Sequence, residues 1–268
     1  MKILFSAAAL AWMAATSAAA GVVFELETRG ADGGGAPGIS HIYVQGQRLR
    51  MDRPPQDQEG FDAVLFDADR GEMTILDSGQ KRYTVIDEAA RDRMAARMAS
   101  AMQQYRDMLA SVPEAQRKMM EQMMPAAVPR PRAAPEVRRT GRQADHGGYP
   151  CAEYEVLQEG VRTQELWVTG WDGIPGSTGA AEVFRKMADF FSSVRDAMAG
   201  AGPMGGPEPG ALDALMKEVD GYPVVARVFD DGGRMVEETR LRAVREEDLA
   251  PSLFEPPADY GPQALEGL

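Results

Sequence analysis

Met94, Met98 and Met102 recur at one helical turn, and Met119, Met120, Met123 and Met124 form a second cluster further along. Soft thioether sulfurs gathered in this way can hold Cu(I). The same i, i+4 spacing is also what an amphipathic helix shows on its apolar face, and unbranched Met packs well around variable apolar groups. Two readings stand side by side: a copper site at Met119, Met120, Met123 and Met124, or an apolar face on which Met94, Met98, Met102 and Tyr105 line a pocket. Other reactive residues are few. His41 and His146 are the only histidines, one in an expected strand and one in a Gly-rich turn, so both are read as structural. There is no Gly-x-Ser-x-Gly elbow, no His-Glu-x-x-His and no phosphate-binding loop. Cys151 is the single cysteine, cannot form an internal disulfide, and is expected to be buried. The chain is therefore expected to be no enzyme and to carry no cofactor.

The elements that would position these residues begin after a leader. Lys2 supplies a positive start, residues 3–15 an apolar run, and Ala18-Ala19-Ala20 a small-residue cleavage site, so residues 1–20 read as a secretory signal peptide cleaved after Ala20. Gly21, rather than a cysteine, follows the site, so no lipid anchor is expected. Charges interrupt every later apolar stretch, and no transmembrane segment is expected in the mature chain. The net charge of -12 argues against nucleic acid as a partner. These features imply a periplasmic location, with residues 21–262 as a single domain and 263–268 as a tail.

Residues 22–29 alternate apolar and polar, the period of a half-buried strand. Further strands are expected at 39–51, 61–67, 73–77 and 82–86, separated by turn signals such as Ala68-Asp69-Arg70-Gly71 and Ser78-Gly79. The period changes at Asp87, which can cap a helix. A helical insertion is expected at about 87–124, and Pro125, Pro129, Pro131 and Pro135 then make a linker at about 125–136. Strands return from Val137, with a hairpin formed by 151–157 and 161–169. Residues 180–199 form a second amphipathic helix, with Phe184, Met187 and Phe191 on its apolar side, and 211–219 a short third one. Residues 222–230 and 234–245 make a last hairpin around Asp230-Asp231-Gly232-Gly233, expected to close the sheet. Gly148-Tyr149-Pro150-Cys151 and Gly221-Tyr222-Pro223-Val224 are a short echo, each leading into a strand.

Arg48, Arg50 and Arg53 are read as a solvated strand face. Arg130, Arg132, Arg138, Arg139 and Arg142 are the one basic cluster of an acidic chain, read as touching an anionic partner or as a plain linker. Trp167 and Trp171 are expected to pack on the sheet.

Several of these segments fall in a recognisable order. Val44-Gln45-Gly46-Gln47-Arg48-Leu49-Arg50-Met51-Asp52 is followed by Lys81-Arg82-Tyr83, Gly148-Tyr149-Pro150-Cys151-Ala152-Glu153-Tyr154, Trp167-Val168, Gly221-Tyr222-Pro223, and a closing Leu-Phe-x-x-Pro-x-x-Tyr from Leu253 to Tyr260. In this order the chain resembles a bacterial envelope family catalogued as domain of unknown function 4412. The resemblance implies a lipoprotein-carrier (LolA/LolB-like) fold. That is an α+β fold in which a strongly curved antiparallel sheet, a half-open barrel, has amphipathic helices covering its concave face. The expected function is non-catalytic binding of an apolar ligand, an acyl chain or lipoprotein segment, by Met94, Met98, Met102, Tyr105, Phe184, Met187 and Phe191. The alternatives are an envelope interaction protein without a small ligand, and Cu(I) binding by the methionines. Expected partners are a lipid, a lipoprotein or an envelope protein.

Overall fold

The structure is a computed structural model that describes residues 20–31, 36–53, 61–111, 135–199 and 218–264. The expected leader before Ala20, residues 112–124 of the expected helical insertion, nearly all of the expected linker and most of the expected helix at 211–219 lie outside the described residues.

Six strands follow one another from Gly21: β1 (Gly21–Gly30), β2 (Gly38–Gln45), β3 (Arg48–Asp52), β4 (Ala63–Asp67), β5 (Glu72–Asp77) and β6 (Arg82–Ile86). Each pairs antiparallel with the next. The expected single strand at 39–51 is corrected to two. Gly46 adopts φ +60, a conformation that suits glycine, and turns the chain back on itself between β2 and β3. Helix α1 (Glu88–Ser111) comes next, and the Asp87 carboxylate caps it by accepting the Ala90 N–H at 2.6 Å. Then come β7 (Glu136–His146), β8 (Tyr149–Gln158), β9 (Val161–Thr169), a 3-10 turn at Trp171–Gly173, and helix α2 (Thr178–Ala199). The chain ends with β10 (Tyr222–Phe229), β11 (Met235–Glu247), a 3-10 turn at Pro251–Phe254 and β12 (Gly261–Pro262).

All twelve strands belong to one open sheet in the order β12-β6-β5-β4-β3-β2-β1-β11-β10-β9-β8-β7. The last hairpin does not close it, which corrects the expectation. β1 pairs with β11 along the whole length of β1, from Gly21 opposite Glu247 to Gly30 opposite Glu237, and β10 pairs with β9. The hairpin thus sits in the middle and joins the N-terminal meander to β7–β9. Pairing is antiparallel except at the edge, where β12 runs parallel to β6.

Alternation puts Val22, Phe24, Ile42, Val44, Leu49 and Phe66 into the main core, and α2 packs on them through Val183, Phe184, Met187 and Phe190. Phe190 lies edge-on to Phe66 of β4 at 5.6 Å between ring centroids, while Phe184 meets Tyr222 of β10 at 5.8 Å. β4 and β10 are five strand steps apart, roughly 24 Å in a flat sheet at the usual spacing. α2 thus meets strands on both sides of β1 in a large, curved, open sheet. Helix α1 instead rests on α2 and β6. Of its described residues only Ala90 is fully buried, and Met108 is exposed.

The solvated face expected for Arg48, Arg50 and Arg53 is also corrected. Arg48 stacks over the Phe254 ring at 5.0 Å, Arg50 donates to the Leu253 carbonyl at 3.2 Å and pairs with Asp52, and Arg53 covers Phe61. Leu249 and Phe254 bury against Val23 on the sheet, which brings the C-terminal turn within reach of the β3 arginines.

Candidate functional site

β9 ends at the buried Thr169, and Gly170 leads into the Trp171–Gly173 turn. The fully buried Ser177 hydroxyl lies 2.7 Å from the Trp171 carbonyl and 2.9 Å from that of Ile174, which ties this turn to the start of α2. The start of β10 packs closely on the same corner. A Cβ at Gly221 would stand 2.3 Å from the Thr169 carbonyl oxygen, so only glycine fits there without a shift. Between the two lies a groove of about 340 Å³ lined by Trp171, Ala181, Phe184, Arg185, Val219, Asp220 and Gly221.

Its aromatic residues touch one another. Trp171 lies 5.5 Å from Phe184 and 5.7 Å from Tyr222, and Tyr222 stacks on Phe24 at 4.8 Å. Such contacts fix the rings in place. Tyr222 is buried, and burial pushes its phenol pKa well above the usual value, so the hydroxyl stays neutral. Arg185 and Asp220 stand at the rim with opposite charges. Apolar and aromatic lining with a few polar groups at the mouth is the arrangement of sites for apolar groups.

The sheet from β7 to β11 is built differently. Glu165, almost buried, accepts from Trp167 Nε1 at 3.0 Å and from Arg227 at 2.6 Å, and Arg162 stands 3.2 Å away. Arg227 also pairs with Glu238, which pairs with Arg240. Burial works against the Glu165 charge, yet hydrogen bonds from Trp167 and Arg227 hold its carboxyl below the usual range. Glu153, 1% exposed, accepts from Thr140 at 2.5 Å and lies 2.8 Å from Arg142, whose guanidinium covers the Trp167 ring at 5.4 Å.

Cys151 is buried, as expected, and desolvation raises its thiol pKa to about 11, which leaves it unreactive. His146 lies against Trp167 at 4.7 Å, and its buried Nε2 has no hydrogen-bond partner among the described residues. His41 stacks on Tyr43. Arg138, Arg139 and Arg142 belong to strand β7, which corrects the linker reading for these three, whereas Arg130 and Arg132 lie outside the described residues.

Phe184 and Met187 are core residues, at 6% and 1% exposure. Phe191 is half-buried against Phe190, and Met94 is half-buried on α1. The side chains of Met98, Met102 and Tyr105 lie outside the described residues, as do Met119, Met120, Met123 and Met124 entirely. Of the expected ligand-binding residues Phe184 lines the groove, while Met187 and Phe191 pack with the core on α2; Trp171, expected to pack on the sheet, both packs on the core and lines the groove, and Val219 and Gly221 join it there. The usable signal was a Trp in a Gly/Pro loop directly before an amphipathic helix. Among the described residues no group of His, Cys, Asp or Glu could hold a metal ion, and no helix is long and apolar enough to cross a membrane.

No family model matches the sequence, and no curated protein does. Membership of family 4412 is therefore not shown. Solved structures do show likenesses. An uncharacterized conserved protein from Thermus thermophilus aligns over 92% of this chain and 91% of its own, at 8% identity and a TM-score of 0.44. The MucA/MucB complex of Pseudomonas aeruginosa aligns over 90% of this chain and 57% of the other, at 11% identity and 0.36. A LolA-superfamily protein from Nitrosomonas europaea aligns over 88% and 89%, at 8% identity and 0.25. The last belongs to the fold family that the resemblance implied, and each score lies under 0.5.

Proposed function

We propose that the chain is a non-catalytic exported binding protein, acting in the periplasm, that takes an apolar group such as an acyl chain or a lipoprotein segment beside α2 on the concave face of its sheet. The observation that carries this reading is the half-buried Trp171, presented in an open groove against Phe184 and Tyr222. The groove's volume falls within the roughly 300–1,000 Å³ of small-molecule sites. Beneath α2, Val183, Met187 and Phe190 are each buried among sheet residues. An apolar group is therefore accommodated alongside the helix rather than under it.

The test uses the chain from Gly21 onward. Trp12 lies in the leader, so Trp167→Phe leaves Trp171 as the sole tryptophan. Titration with a brominated fatty acid should quench that fluorescence, and Trp171→Ala should abolish uptake of the same acid in native mass spectrometry. A clean apo mass with no quenching would overturn the reading. It would favour a second one, an envelope interaction protein without a small ligand, to which the filled space beneath α2 already lends support.

A further inference from the structure

The groove at Trp171 has a neighbour. Gly170, the preceding residue, lines a second cavity of about 590 Å³, whose wall includes Arg139, Gln143 and Asp145 of β7 and Tyr154 of β8. Asp220 lines both cavities, and Val168 of the second packs with Val219 of the first. The two thus adjoin as one depression, apolar and aromatic at the α2 end and more polar at the β7 end. We propose that this depression is a single elongated site for a lipid whose head carries both a phosphate and an ammonium. The proposal rests on the apolar-groove reading above and adds the head group to it.

The charged groups around the depression carry the argument. Elsewhere on β7, Glu155 holds Arg138 and Glu153 holds Arg142. Arg139, Asp145, Arg185 and Asp220 are exposed, and among the described residues none of them forms an ion pair. Arg185 and Asp220 line the same groove without pairing with each other. One Asp145 oxygen accepts the Gly148 N–H at 2.9 Å, which orients the carboxylate and leaves its charge without a cation. Two guanidiniums and two carboxylates balance, and the chain's net charge of -12 opposes an anionic ligand. A neutral molecule with separated charges of its own and an apolar body answers all three conditions. Its chain lies beside Trp171 and Phe184, Asp145 and Asp220 take the ammonium, and Arg139 and Arg185 take the phosphate, for which the planar guanidinium fork is suited.

The test uses the chain from Gly21 onward and single-chain lipids of equal chain length, each below the concentration at which it forms micelles. One carries a phosphoethanolamine head and the other a phosphoglycerol head, so both bear the phosphate and only the first an ammonium. Calorimetry should show the ethanolamine lipid binding at least ~5-fold more tightly. Asp145→Asn with Asp220→Asn should reduce that preference to less than ~2-fold, and Arg139→Gln with Arg185→Gln should weaken both lipids by at least ~5-fold. Free phosphoethanolamine, a head without a chain, should bind at least ~10-fold more weakly than the lipid. In the Trp167→Phe variant, bromine at the end of the ethanolamine lipid's chain should quench Trp171. Equal binding of the two lipids, a preference that survives loss of both carboxylates, unchanged affinity without both arginines, equal binding of the free head, or ethanolamine selectivity without quenching would each overturn the proposal. If the brominated fatty acid still quenches Trp171 in that event, the apolar groove stands and only the head-group assignment falls; no quenching by any lipid removes both.

Discussion

Under α2, strands β1 to β4 turn Phe24, Val44, Leu49 and Phe66 into an apolar core, whereas from β9 to β11 the same sheet carries Glu165, Arg227, Glu238 and Arg240 side by side. The strands have similar alternation and belong to one ladder of hydrogen bonds. The difference lies in what covers them. Where a helix supplies Phe184, Met187 and Phe190, large apolar side chains leave water together, and each contributes through the area it removes. In the second region, charged groups are tolerated because each carboxylate has an arginine within ion-pair distance. Glu165 is 7% exposed and would be costly without Arg227. The comparison teaches that strand period reports which residues share a face, and the cover on that face decides whether they must be apolar.

The largest expected effect lies in the apolar region. Phe24 is fully buried between Phe184 and Tyr222, so Phe24→Ala leaves a cavity lined by rings that cannot all collapse into it. Urea denaturation should record a loss of about 3–5 kcal/mol, unaffected by salt. In the charged region Arg227→Met leaves Glu165 without its closest cation and Glu238 with Arg240 alone. The loss should be smaller, about 2–3 kcal/mol because Arg227 is partly exposed and Arg162 remains near Glu165, and should change with ionic strength. If Arg227→Met costs as much as Phe24→Ala and ignores salt, the two regions do not differ in the way described.

Much of this division was visible in the sequence. Residues 22–29 alternate because Val22, Phe24 and Leu26 share the core face of β1, although Val23 on the other face is also buried, against Leu249 and Phe254, and the Phe184, Met187 and Phe191 spacing identifies the sheet-facing side of α2. The echo of Gly-Tyr-Pro at 148 and 221 marks the starts of β8 and β10, and both tyrosines pack on the same core. Three features were less legible, each for a physical reason. Gly46-Gln47 is a two-residue turn inside an otherwise strand-like run, so β2 and β3 looked continuous. The central place of β10–β11 depends on a pairing across more than two hundred residues, which local pattern does not encode. The burial of Glu153 and Glu165 has no local signal, because the arginines that neutralise them come from other strands. The Trp171 groove was missed for a similar reason, since Val219 and Gly221 join it only through the packing of β10 on β9.

The smallest expected effect sharpens the comparison through pH. His146 lies on Trp167 in the charged region. Burial, then the nearby charges of Arg227 and Arg240, lower its pKa from 6.5, against weaker opposing influences from Asp145 and Glu165. In the unfolded chain the imidazole takes up a proton as pH falls through about 6.5, while the folded chain does so only at lower pH. Between those two values the unfolded state binds more protons, so stability declines as pH falls through this window and is unaffected by His146 above it. Glu165 acts in a separate and lower window. Its folded pKa is depressed, so the stability it provides is present above its unfolded value near 4.5 and is lost as pH falls through the folded one. His146→Phe removes the imidazole, whose Nε2 has no partner among the described residues, while keeping a ring against Trp167. Urea midpoints measured from pH 7 to pH 5 should therefore fall for the parent chain and fall less for His146→Phe, with both curves converging on the same further decline below pH 4.5. Identical slopes from pH 7 to pH 5 would mean that the imidazole takes up its proton as readily in the folded chain as in the unfolded one. The charged region would then be more open to water at Trp167 than its packing indicates.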